Sequence, residues 1–178
     1  MYFHKSSLPL IVGLLAPCMG IAQYDELAVN HVVINDRLHT AGQPPSEQLS
    51  SLADRGFEMV INLAPTTSQG AIGNEGHLVA ENGVTYVNIP VEWLNPTYAD
   101  FSLFSGVMKE SDGRQVLVHC QVNKRASIFT FLYQVVHEKV PIDEAFVARE
   151  KVWVPEAQWV QFGKMVFEQH NIDSNIFD

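Results

Sequence analysis

"VLVHCQVNKRASIF", residues 116–129, runs from an apolar, β-branched stretch into a cysteine, turns polar and basic, and becomes apolar again. A short apolar run of this kind suits a strand buried on both faces, as in a parallel sheet. The spacing predicts a strand over 114–120 and a helix beginning near Ala126. Ligands bind parallel sheets at the carboxyl ends of strands, where the next loop meets a helix N-terminus, and Cys120 falls at that place. Residues 121–125 can turn their N–H groups inward as an anion nest, and the helix adds the positive end of its dipole. In such settings thiols become thiolates at neutral pH, which makes Cys120 a candidate nucleophile. The alternative is a small buried core residue.

Outward from this segment, strand and helix signals alternate. Strands are expected at 31–35, 38–42, 57–64 and 84–90. Helices are expected at 46–56 with Ser46 as N-cap, at 75–83, and at 98–111. Three further helices, 126–139, 141–152 and 155–170, close the chain. This order implies an α/β fold: a mostly parallel central sheet flanked by helices, with a helical C-terminal part. No repeat or low-complexity tract interrupts it.

The first 22 residues follow the plan of an export signal: Lys5 near the start, the apolar run "LPLIVGLLAP", then small residues at Gly20 and Ala22. The expected organisation is a signal at 1–22 and one domain at 23–178, exported to the periplasm or secreted. Lipid attachment at Cys18 is the alternative. With the signal removed, no segment long enough to span a membrane is expected. Cys120 would then be the one remaining cysteine, a liability in an oxidising compartment unless buried or used. All 20 acidic residues lie beyond the signal, and the whole chain carries a formal charge of −9. That balance argues against nucleic acid or an anionic membrane as partner and leaves room only for a local anion site. His31, His39, His77, His137 and His170 show no metal-ligand spacing, and nothing marks a cofactor.

The segments "AGQPPSEQLSSLADRGFEMVINLAP", "YVNIPVEWLNPT" and "HCQVNKRAS" together resemble the cysteine-dependent protein tyrosine and dual-specificity phosphatases, with signature H-C-x5-R-[ST], and within them a bacterial β-lactamase-hydrolase-like branch. The resemblance spans about residues 31–165. It implies a dual-specificity-phosphatase-like fold, no cofactor, and a phosphorylated small molecule or phosphoprotein as partner. By position it makes Cys120 the nucleophile that forms a phosphocysteine. The backbone of Gln121, Val122, Asn123, Lys124, Arg125 and Ala126 would hold the phosphoryl oxygens. His119 would orient the loop, and Ser127 would hydrogen-bond the sulfur. Asn123 stands where the family has glycine, and asparagine tolerates the left-handed conformation best after glycine.

The arginine departs from the pattern. The family places it at position 126, which is Ala126 here, and the guanidinium belongs to Arg125. One residue on a helix turns a side chain by about 100°. "CQVNKR" also resembles the C-x-x-G-x-R loop of rhodanese-type sulfurtransferases, which carry a persulfide. A catalytically weak phospho-ligand binding module is a third reading. A phosphatase needs a general acid, and the loop after the fourth strand offers Glu92, beside Trp93, and Asp100, which as a first-turn residue could simply face the helix dipole. Asn62 and Gln43 are placed to cap strand ends or line the cleft, and Trp153 and Trp159 to fill the core.

Overall fold

The computed structural model describes residues 26–111 and 113–178. The expected export signal and Cys18 lie outside them. Five strands form one sheet, β1 (Val32–Asn35), β2 (Leu38–Ala41), β3 (Met59–Asn62), β4 (Thr85–Asn88) and β5 (Val116–His119), in the order β1-β2-β5-β3-β4. β2 and β3 flank β5 in parallel, β4 extends the sheet in parallel beside β3, and β1 pairs with β2 antiparallel across the turn at Asp36 and Arg37.

β5 is central because it can be buried on both faces. Strand side chains alternate between faces. Val116, Val118 and Cys120 accordingly join the larger core with Met59 and Ile61, whereas Leu117 joins the smaller core with Val60. The smaller core is closed by α1 (Ser46–Ser50) and α2 (Glu75–Ala80), contributing Leu49 and Val79. The larger is closed by α3 (Tyr98–Glu110), α4 (Lys124–Tyr133), α5 (Ile142–Glu150) and α6 (Ala157–Gln169). No helix among the described residues is long and apolar enough to cross a membrane.

The helices at 46–56 and 126–139 depart from the sequence expectation in ways that bear on local geometry. α4 begins at Lys124, two residues earlier than Ala126, because Asn123 takes φ 69° and ψ −4° and turns the chain abruptly. α4 gives way to a π-helical turn at Gln134–Glu138 that ends on Lys139 at φ 60°. The expected helix 46–56 is α1 followed by a separate 3-10 turn, Ala53–Arg55, with Gly56 at φ 87°, and Pro45 rather than Ser46 is the N-cap.

Candidate active site

Cys120 is buried at the carboxyl end of β5, and only Gln121, Val122 and Asn123 separate it from α4. This short loop is held from outside. The Asn30 side chain donates to the Val122 carbonyl at 3.1 Å, and Asn123 Nδ2 donates to the Asn30 carbonyl at 2.6 Å and to Thr40 Oγ1 at 3.0 Å. The Gln43 amide donates to the Gln121 carbonyl at 3.1 Å, and the Gly42 amide to the Val29 carbonyl at 2.8 Å. Gly42 is required for this closeness: a Cβ there would meet Val29 Cγ1 at 2.4 Å and the Gln121 carbonyl at 3.0 Å.

The cavity at Cys120 measures about 320 Å³ and is lined by Trp93, Cys120, Gln121, Val122, Lys124, Arg125 and Glu156. The Asn123 side chain does not cap the first N–H groups of α4, and N–H groups at a helix start suit an anion. Arg125 is buried, its Nε donates to the Val91 carbonyl at 2.9 Å, and its guanidinium carbon lies 5.1 Å from the Trp93 ring centre. Lys124 Nζ lies 5.5 Å from the Trp93 ring centre and 5.0 Å from that of Trp153, and 3.8 Å from a Glu156 carboxylate oxygen.

Behind the cysteine, strand alternation sends His119 to the opposite face, toward α2. There its Nε2 pairs with Glu75 Oε1 at 2.6 Å, the two side chains being 0% and 3% exposed. Gln43 and Asn62 donate to the other Glu75 oxygen at 3.1 and 3.2 Å. Asn62 also contacts the Tyr86 hydroxyl at 3.2 Å, and burial, with Glu75 nearby, pushes that phenol up to about 12. Gln43 and Asn62 thus hold a buried carboxylate rather than line the cleft.

The structure therefore brings Cys120, Gln121, Val122, Lys124 and Arg125 to one cavity and places His119 in support. It separates others from that cavity. The Ala126 side chain is enclosed in the larger core, while its backbone belongs with that of Lys124 and Arg125 to the first turn of α4. The Ser127 hydroxyl donates to the Lys124 carbonyl at 3.1 Å instead of to the sulfur. Asp100 closes a capping box with Thr97 at the start of α3, accepting from its amide at 2.9 Å and its hydroxyl at 2.8 Å. Glu92 is exposed and does not line the cavity. Sequence reasoning missed Glu75, Glu156 and Asn30, which reach the site only through long-range packing.

No family profile matches the chain. It is 33% identical over 116 residues to the β-lactamase hydrolase-like protein of Xylella fastidiosa, covering 64% of this chain and 27% of that one. The chain thus spans about a quarter of the length of the curated relatives it matches. Among solved structures it is similar to a candidate phosphatase of the DUF442 group from Shewanella putrefaciens, with 33% identity over 80% of this chain and 93% of that one and a TM-score of 0.72. It shares its fold with Tk-PTP in its active form, at 19% identity over 79% and 97% of the two chains and a TM-score of 0.67.

Proposed function

Because the chain belongs to the DUF442 group of the protein tyrosine and dual-specificity phosphatase superfamily, we propose that it hydrolyses phosphomonoesters with Cys120 as nucleophile. The observation that carries this reading is the position of Cys120, in one cavity with Arg125 and Lys124 and separated by three residues from a ten-residue helix whose N-cap makes no side-chain bond.

The Cys120 thiolate attacks phosphorus, the bond from phosphorus to the leaving oxygen breaks, and that oxygen takes a proton from a carboxylic acid. Water then attacks the phosphocysteine, loses a proton to the same carboxylate, and the phosphorus–sulfur bond breaks to release phosphate and thiolate. The terminal amino groups of Arg125 and the first N–H groups of α4 hold the phosphoryl oxygens. His119, fixed by Glu75, positions the loop from behind. Glu156 is the carboxylate lining the cavity, and we assign the proton transfers to it ahead of Glu92 and Asp100.

Replacing Cys120 with serine in the purified protein should abolish turnover of an aryl phosphate while leaving oxyanion binding in place, since that binding rests on α4 and Arg125. Unchanged turnover contradicts the assignment.

The brevity of the loop favours one second reading, a sulfurtransferase with a persulfide on Cys120. Sulfane sulfur on Cys120 after thiosulfate treatment, transferable to cyanide and without phosphate ester hydrolysis, would establish it instead.

A further inference from the structure

A second cavity, about 350 Å³, lies between α3 and the helical C-terminal part and shares no lining residue with the cavity at Cys120. Tyr98, Ser102, Ser105 and Lys109 line it from α3, His137 from the π-helical turn, and His170 from the end of α6. Its polar groups are mostly hydrogen-bond donors or can become so. The Ser105 hydroxyl is buried, with the residue 5% exposed, and has no hydrogen-bond partner among the described residues. A buried hydroxyl left in that state is costly unless a ligand or water meets it. The rings of His137 and His170 lie 5.6 Å apart, with the Tyr98 hydroxyl 3.1 Å from His170 Nε2.

The charges around these rings have one sign. Burial lowers both histidines, His137 to about 4, and the charged groups acting on them are Lys109, Lys139 and, for His137, also His170. Among the described residues no carboxylate lines the cavity. Phe101 and Tyr133 cover the His137 ring with apolar and phenolic surface, and Glu138, next in the chain, lines a different cavity together with Arg37. Near neutral pH Lys109 is the charged side chain among the described residues that line the cavity, and no acid lies beside it in that lining to balance it.

We propose that this cavity is a second anion site, independent of the Cys120 chemistry, which takes a doubly charged tetrahedral oxyanion, free or as the phosphoryl group of a small ester. Lys109 supplies the resting charge, the histidines add theirs by taking up protons together with the anion, and Ser105 and Tyr98 supply the hydrogen bonds. Bound anion favours protonated histidine, so by reciprocity the site binds more tightly as pH falls.

The test is a titration of the full chain with sulfate, whose charge stays constant near neutral pH, following the imidazole resonances of His137 and His170 by NMR. Both sets should move along one saturation curve, and saturating sulfate should move their titration midpoints to higher pH. For about every tenfold by which protonation of a ring tightens sulfate binding, the midpoint of that ring should rise by about one on the pH scale. Ser105→Ala and Lys109→Met should each weaken saturation at least about tenfold, the loss of one charged or buried hydrogen bond, while both histidine resonances stay dispersed. Parallel titrations with inorganic phosphate and glycerol 3-phosphate separate the sources: equal saturation marks the free anion, and tighter binding of the ester marks a phosphoryl ligand. Sulfate in the Cys120 cavity does not interfere, because the signals belong to these two rings. Resonances that do not move, a drift without saturation, or a Lys109→Met response equal to that of the unchanged chain would overturn the proposal.

Discussion

Arg125 Nε donates to the Val91 carbonyl at 2.9 Å, tying the first turn of α4 to the segment that leaves β4 and carries Trp93. One edge of the guanidinium is thereby spent on the protein. Arg125 and Cys120 line one cavity, and under the proposed function the two terminal amino groups meet the anion there.

Arg125→Ala should weaken oxyanion binding by about one to two powers of ten, since a hydrogen bond to a charged group contributes about 1.5–3 kcal/mol. Calorimetric titration with vanadate or phosphate reads this directly. Arg125→Lys should not restore binding, because an ammonium cannot hold Val91 and fork onto an anion at once. Moving the guanidinium with Arg125→Ala and Ala126→Arg should also fail. Ala126 is fully enclosed in the larger core, where a charged side chain has neither room nor partner. Recovery of turnover in that double variant would show that the loop works as a displaced form of the family's.

Glu75→Ala should destabilise the fold by about 3–5 kcal/mol, the usual cost of removing one member of a buried pair, because His119, Asn62 and Gln43 all lose their partner. Glu75→Gln keeps an acceptor for the two amides and should cost less. Urea unfolding gives both values, and equal, small losses for the two variants would mean that the Glu75–His119 contact contributes little.

The left-handed Asn123 gives a third test. Asn123→Gly preserves the φ of 69° but loses the bonds to Asn30 and Thr40, and should lower stability by about 1–3 kcal/mol. Asn123→Ala should be worse, by a further ~1–2 kcal/mol of left-handed strain. Gly42→Ala, which drives a Cβ against Val29 and the Gln121 carbonyl, should cost about 1–3 kcal/mol and slow turnover. Full activity in Gly42→Ala would show that the 27–31 segment does not fix the loop.

Histidine burial sets a pH dependence. His39 shares a hydrogen bond with His31 at 3.1 Å and is lowered to about 4, chiefly by burial and then by His31; His137 is also lowered to about 4. The unfolded chain therefore takes up these protons first, and the stability they contribute is full above about 6.5, shrinking as pH falls toward 4. Glu138, raised by burial, acts in the opposite direction. The urea midpoint should fall over that window, and His39→Gln should flatten the fall. An unchanged slope in His39→Gln would remove His39 from the account.

Much of this was legible in the sequence because local patterns carry it. The mostly apolar β3 and β5 announced strands buried on both faces, and Cys120 follows one of them at the edge of a cavity. The start of α4 was misread because the turn belongs to Asn123, whose left-handed backbone is held by Asn30 and Thr40 from distant parts of the chain. Glu75 carried no signal of its own at the start of the short helix expected at 75–83. Only the pairing of β3 with β5 sets Asn62 beside His119 and gives that acid a buried partner. Glu156 had no local signal either, since it comes to the cavity through the packing of Trp153 and Trp159 against Trp93.

The most direct measurement of the central claim is to mix the protein with an aryl phosphate, quench in acid during turnover, and map the mass of the peptide that contains Cys120. A phosphoryl group on Cys120, absent in Cys120→Ser, is the predicted result. Phosphate release with Cys120 unmodified at every time point, and undiminished in Cys120→Ser, would contradict the account.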